Sequence, residues 1–377
     1  MQCDYFDAGA CRSCTLMGTA YARQLGDKQR AAQAALAGMG VTWVAPFASP
    51  ESGFRNKAKL VVAGSAGAVT LGILDERGRG IDLRECGIHD PRIAAALPVL
   101  ADFVNELRLI PYDVPTRRGE VKHLLVTVSP AGELMVRLVL RSTHHEAALR
   151  SRLPLLLARL PAIRVVSLNI QPAHKAVIEG EREIVLTPAD HLRMEVNGIP
   201  LYLLPHSFFQ TNTQVAAGLY RQAAQWLDDA APASVWDLYC GVGGFALHLA
   251  RPGRLVAGIE IAPDAIASAQ RSAAELHTGD GVRFVVGDAI EAAAVLGGEA
   301  DAIVVNPPRR GLGPELVTWL DDCAAEMLLY SSCNPASLAR DLAGLPSWQP
   351  GEARLFDMFP QTTHSEILVR LSPRVSP

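Results

Sequence analysis

No stretch of this 377-residue chain approaches the eighteen or so consecutive apolar residues that a membrane span needs. Its start, Met1-Gln2-Cys3-Asp4, lacks the basic-then-apolar plan of a secretory signal, so a cytoplasmic protein without a membrane partner is expected. Repeats and low-complexity segments are missing too, and 31 Gly and 25 Pro are no excess, which excludes collagen-like and disordered classes. A basic excess is also lacking. The net charge of −4 argues against a chain whose whole surface is a polyanion-binding face, although it leaves room for a local groove. Present instead are 49% apolar residues, enough for a sizeable core, and a length that allows two or three domains. Residues 1–200 carry 24 Lys and Arg against 20 Asp and Glu, a balance of +4, while the remainder carries 11 against 19, a balance of −8. The two halves therefore read as different modules.

Seven cysteines, an odd number, argue against a disulfide framework. Cys11-Arg12-Ser13-Cys14 is a C-x-x-C pair whose thiolates can face one metal, with Cys3 eight residues upstream. Cys86 would complete a four-thiolate site from a distant part of the chain. With no histidine close to the pair, zinc and an iron–sulfur cluster suit the spacing about equally.

The middle of the chain reads as β-rich α+β. In Phe54–Val62 basic and apolar residues alternate, so Arg55, Lys57 and Lys59 would share a face that could meet phosphates. A helix is expected at Ile93–Leu107, strands at Lys122–Val128 and Leu134–Leu140, a helix at Pro154–Leu160, and strands at Val165–Gln171, Lys175–Ile178 and Glu183–Leu186.

After Thr213 helices alternate with strands, the pattern of an open parallel sheet. Val235–Tyr239 runs into Cys240-Gly241-Val242-Gly243-Gly244, a glycine-rich turn where a backbone can approach a ligand. The next strand ends in Glu260, 17 residues after Gly243, placed to bind both hydroxyls of a ribose. A third strand ends at Asp288, where an adenine would lie. These signs alone fit an NAD-dependent oxidoreductase as well. The fourth strand discriminates, because Asn306-Pro307-Pro308-Arg309 at its carboxyl end resembles a segment that approaches the methyl donor in S-adenosylmethionine-dependent methyltransferases. Enzymes that methylate exocyclic amines usually carry an aromatic residue next; Arg309 points to another acceptor atom.

Tyr330-Ser331-Ser332-Cys333-Asn334-Pro335 puts a thiol at the end of the fifth strand. Taken by itself it would be a buried structural cysteine, but its place beside a methyl donor reverses that reading. Carbon 5 of uracil is too weak a nucleophile to attack a sulfonium methyl, whereas a thiolate added to carbon 6 makes it an enolate carbon. The proton left on carbon 5 must then go to a base. Glu366, in His364-Ser365-Glu366 ahead of the strand Ile367–Leu371, is the candidate.

Together these segments resemble the RNA uracil-C5 methyltransferase family over nearly the whole chain. His206-Ser207-Phe208-Phe209-Gln210-Thr211-Asn212 looks like the family's segment ahead of the catalytic domain, and the resemblance implies a donor contact at Gln210. It implies further donor contacts at Tyr239, Gly241, Glu260, Asp288 and Asn306, with Cys333 as nucleophile and Glu366 as base. Most members have Asp where this chain has Asn306, and an amide cannot act as a base. By the same resemblance Cys3, Cys11, Cys14 and Cys86 would hold a [4Fe–4S] cluster, zinc being the lesser alternative. Some members begin with a small β-barrel RNA-binding module, whereas here the cluster cysteines come first. That start resembles the subgroup acting on a hairpin-loop uridine of bacterial 23S ribosomal RNA more than the tRNA-modifying members.

The expected fold is therefore α/β: a Rossmann-like S-adenosylmethionine-dependent methyltransferase domain at residues 213–377, a β-rich RNA-positioning domain at 91–212 whose helix 93–107 could pack on the catalytic domain, and a cluster-bearing region at 1–90. The expected partner is RNA with a single-stranded or flipped-out uridine, because a paired base cannot offer carbon 6 to a thiol. The expected assembly is a monomer. The rival to an enzyme is a non-catalytic RNA-binding cluster protein, which retention of both Cys333 and Glu366 disfavours.

Overall fold

The computed structural model describes every residue except 176, 292, 293, 295 and 375–377. It divides into two compact units with boundaries other than those expected: Met1–Met17 with Glu51–Met194, and Gly18–Pro50 with Glu195–Pro377.

The first unit opens with the short helix α1 (Asp4–Asp7) and is built on a seven-stranded sheet. Its strands are β2 (Lys57–Ser65), β3 (Ala68–Leu74), β4 (Gly80–Asp82), β5 (Val121–Val128), β6 (Leu134–Leu140), β7 (Ile163–Ile170) and β8 (Arg182–Val185), in the order β4-β3-β2-β5-β6-β7-β8. Helix α3 (Pro91–Glu106) starts where Asp90 caps it by accepting from Arg92 N, with Pro91 in the first turn. Ile93, Ala96, Leu97, Leu100, Ala101 and Val104 recur at helical spacing and are buried against alternate residues of the strands, among them Ala58, Leu60 and Val62 of β2 and Leu124, Val126 and Val128 of β5. The apolar stripe of α3 is thus buried against the sheet of its own unit. Helix α4 (Glu146–Arg159) begins well before Pro154 and makes the crossover between the parallel strands β6 and β7. The strand expected at Lys175–Ile178 is not found at 175, 177 or 178, and residue 176 lies outside the described residues.

The basic face of β2 is also corrected. Arg55 is half-buried with Cys14 and Cys86 within electrostatic reach, burial pushes Lys57 down to about 8, and only Lys59 of the three is exposed.

β9 (Leu192–Val196) and β10 (Ile199–Leu203) form a two-stranded ribbon where the chain passes into the second unit. That unit holds an eight-stranded sheet in the order β1-β16-β17-β15-β14-β11-β12-β13. Its strands are β1 (Thr42–Trp43), β11 (Ser234–Leu238), β12 (Leu255–Glu260), β13 (Val282–Val286), β14 (Ala302–Val305), β15 (Met327–Ser332), β16 (Trp348–Phe356) and β17 (Glu366–Pro373). The five from β11 to β15 are parallel, β17 runs against β15, and the central β14 and β15 are buried throughout. The helices of this unit are α2 (Tyr21–Ala35), α5 (Thr213–Ala230), α6 (Gly244–Leu249), α7 (Pro263–Glu275), α8 (Pro314–Asp322) and α9 (Pro335–Ala343). The chain steps outward from β11 through β12 to β13 and then returns to β14 on the other side of β11. This reversal opens a crevice at the carboxyl ends of β11 and β14, the usual ligand site of such sheets. The excursion Gly18–Pro50, expected in the front region, belongs to this unit because β1 extends the sheet beside β16.

Candidate active site

The turn after β11 places its backbone at the crevice by unusual dihedrals: Tyr239, Gly241 and Gly243 all have positive φ, at 71°, 52° and 86°. A Cβ on Gly241 would meet nothing within 4 Å, so the space before that backbone is open to a ligand. Gly243 is the opposite case, since a Cβ there would press on Phe284, Ala269 and Leu247 at 3.0–3.2 Å. Glu260, at the end of β12, is held across the turn by Gly241 N at 3.2 Å and Ala262 N at 3.1 Å. One carboxylate is thereby fixed at the rim of the crevice with its second lone pairs available, as two ribose hydroxyls require. Asp288 is exposed, accepts from Ile290 N at 3.0 Å, and is electrostatically coupled to Tyr239. Asn306 follows β14 directly, and Gln210 is buried in the loop ahead of α5, whose first turn Asn212 caps by accepting from Val215 N. Beneath the turn Asp237 is fully buried and pushed up to about 7, chiefly by burial; Ala246 N–H opposes this and the charge of Glu260 adds to it.

Cys333 and Glu366 come together through strand register. In the antiparallel pair Ser332 faces Ile367, so one step further along Cys333 arrives beside Glu366. The thiol sits just before α9, whose Asn334 cap accepts from Ala336 N and whose amide donates to Arg309 O at 3.0 Å, tying this loop to the Asn306–Arg309 segment. Burial raises the Cys333 thiol and the neighbouring Glu366 raises it further, while Arg309 opposes both. Glu366 itself is 2% exposed and pushed up to about 7 by burial, against the hydrogen bond that Ser331 Oγ donates to it at 2.6 Å. A carboxylate with that affinity changes hands with a proton near neutral pH, as a general base must.

Several contributors are not legible in the sequence. Ser331 and Arg309 lie inside the segments that mark Cys333 and Asn306, but which neighbour a side chain meets across strands has no local signature. Ile261, next to Glu260, is 69% exposed, an isolated apolar side chain at the rim of the crevice.

In the first unit Cys3, Cys11, Cys14 and Cys86 are free and half-buried. Burial pushes Cys14 up to about 11, and the charges of Cys86, Cys11 and Cys3 add to it, so the four sulfurs stand within electrostatic reach of one another. Among the described residues no group of three or more His, Cys, Asp or Glu is arranged to hold a metal ion.

The sequence model of the tRNA (uracil-5-)-methyltransferase family matches residues 20–374. The chain belongs to that family. It is similar to a protein from Halothiobacillus neapolitanus named 23S rRNA (uracil(747)-C(5))-methyltransferase RlmC, with 48% identity over 98% of this chain and 99% of that one. A protein of the same name from Yersinia pestis is 46% identical over 99% of this chain and 100% of its own length. Among solved structures, a Pyrococcus abyssi tRNA (uracil-54, C5)-methyltransferase in complex with S-adenosyl-L-homocysteine superposes with a TM-score of 0.78 at 26% identity, covering 95% of this chain and 85% of that one. Family and fold make this chain an S-adenosylmethionine-dependent RNA methyltransferase with a mixed α/β fold, and they set aside both the NAD-dependent oxidoreductase and the non-catalytic cluster protein.

Proposed function

We propose that this chain methylates carbon 5 of a uridine in 23S ribosomal RNA, at uracil 747, the position for which its 46–48% identical relatives are named. The observation that carries the chemistry is the register that sets the Cys333 thiol beside the buried Glu366 at the crevice edge of the sheet. Cys333 Sγ bonds to carbon 6 of the flipped-out base, and the ring electrons thereby move to carbon 5. S-adenosylmethionine, when bound, supplies an electrophilic methyl group to that carbon. Glu366 then takes the remaining proton from carbon 5, the ring double bond re-forms, and the bond from carbon 6 to sulfur breaks to return the thiolate. The N-terminal end of α9 and the guanidinium of Arg309 favour the thiolate against the burial that disfavours it. Gln210, Tyr239, Gly241, Glu260, Asp288 and Asn306 hold the donor, Glu260 through the ribose hydroxyls, and Ile261 covers the adenine with apolar surface that is otherwise exposed to water.

Cys3, Cys11, Cys14 and Cys86 would hold a [4Fe–4S] cluster. The mutual repulsion of the four sulfurs as thiolates would be relieved by a cationic iron–sulfur core, Arg55 favours their negative charge, and the role of the cluster is structural or RNA-positioning, because methyl transfer is redox-neutral. The proposed enzyme works as a monomer in the cytoplasm; among the described residues no helix is long and apolar enough to cross a membrane.

The test is to map 5-methyluridine in 23S RNA from cells with and without the protein, and to assay Cys333→Ala on the same RNA. Methylation at uracil 747 that requires Cys333, with donor affinity retained in the variant, is the expected result. Undiminished turnover by Cys333→Ala would refute the covalent route, and a mark at another uridine would refute the site.

A further inference from the structure

Glu366 directly follows a hairpin connection. β16 ends at Phe356, β17 begins at Glu366, and these two are Cα partners, so the nine residues 357–365 form a loop that closes on the base. This loop is fastened from outside the hairpin by one face of α2. Lys28 Nζ donates to Asp357 Oδ1 at 2.6 Å and to Phe359 O at 3.0 Å, and both side chains of this ion pair are buried. One turn earlier Gln24 and Gln361 bond reciprocally: Gln24 Nε2 donates to Gln361 Oε1 at 2.9 Å, and Gln361 N donates to Gln24 Oε1 at 3.0 Å. Gln361 has φ of 67°, a left-handed conformation that a side chain other than glycine holds only when its surroundings enforce it. The second oxygen of Asp357 has no partner among the described residues, so without Lys28 a buried carboxylate would stand uncompensated at the root of the loop.

We propose that Lys28 and Gln24 are positioning residues for Glu366, which makes α2 a working part of the active site. The inference rests on the reading of Glu366 as the base that removes the carbon 5 proton. It accounts for the excursion Gly18–Pro50 joining the catalytic unit, because the hairpin connection cannot satisfy Asp357 and Gln361 from within itself. A base displaced by even an ångström or so stalls proton removal after the covalent bond to RNA has formed, and leaves donor binding untouched.

The experiment uses the full-length enzyme with a 23S RNA fragment, and reads kcat, KM for the methyl donor, and covalent protein–RNA adduct after denaturation. Lys28→Met should lower kcat by at least tenfold, leave the donor KM within twofold, and accumulate methylated adduct as Glu366→Gln does. Lys28→Met with Asp357→Leu removes both charges and the stability deficit while keeping the low kcat and the adduct. Gln24→Leu, which spares the ion pair, should give the same signature at smaller size. Wild-type kcat in the double variant, or a fall in kcat without adduct while Glu366→Gln accumulates it, would overturn the positioning role. If Glu366→Gln itself accumulated no adduct, the base assignment would fail and this inference with it.

Discussion

The buried carboxylate of Glu366 should cost the protein stability at the pH where it works. Folding raises its affinity for a proton from the usual 4.5 to about 7 because burial disfavours the charged form. The folded state therefore gains from the protonated form. That gain is complete below about pH 4.5 and is lost as pH climbs through about 7, after which the ionised group costs on the order of 3 kcal/mol, at about 1.36 kcal/mol for each tenfold change in proton affinity. Glu366→Gln replaces it with a neutral side chain of the same shape, whose amide oxygen still accepts from Ser331. The variant should be more stable than the parent at pH 8, with the difference widening by about 2 kcal/mol between pH 5.5 and pH 8. Urea unfolding followed by tryptophan fluorescence is a suitable assay, because all five tryptophans, Trp43, Trp226, Trp236, Trp319 and Trp348, lie in the unit that contains Glu366. The parent's turnover should rise with pH through about 7 as the base ionises, and the variant should have none, an exchange of stability for activity. A stability difference that does not change with pH, or a variant less stable at pH 8, would refute the assignment of a buried base of raised proton affinity.

Glu260→Gln should weaken binding of S-adenosylmethionine roughly 10- to 100-fold by calorimetry, the worth of charge-assisted hydrogen bonds to the ribose, with little change in the RNA affinity. Gly243→Ala should lower stability by about 1–3 kcal/mol in the same fluorescence assay, since it adds a left-handed non-glycine residue and a Cβ pressed against Phe284, Ala269 and Leu247. Protein purified without oxygen should contain about four iron and four sulfide per chain and no zinc, and Cys86→Ser should lose the iron; stoichiometric zinc, or no metal at all, would refute the cluster.

The elements nearest the chemistry were legible because their signals are local. The strand Met327–Ser332 ends just before Cys333, as the motif implied, and the turn after Leu238 carries Gly241 and Gly243 where positive φ is required. The motif residues Cys333, Glu260 and Asn306 fall at strand ends because a parallel sheet gathers all such ends on one edge. What escaped depends on contacts between residues far apart in sequence. Arg55, Lys57 and Lys59 alternate as a solvated basic strand would, yet nothing local showed that Arg55 would be drawn toward Cys14 and Cys86. Helix α3 has an apolar stripe that any sheet could cover, so periodicity predicted the helix without its partner. The segment Gly18–Pro50 carries no motif that announces its place in the catalytic unit, because its decisive groups, Gln24 and Lys28, are ordinary helix residues until Gln361 and Asp357 meet them.

The class of chemistry was already readable in short local segments, because the proposed donor turn, ribose acid, nucleophilic thiol and base each lie in a segment short enough to specify its own strand end or turn. That Cys333 and Glu366 are neighbours follows instead from long-range packing, because the reversal of β17 against β15 sets their register across more than thirty residues of chain. Such packing likewise decided that α2 fastens the loop of the base, since a buried ion pair forms only where packing brings two distant charges out of water together.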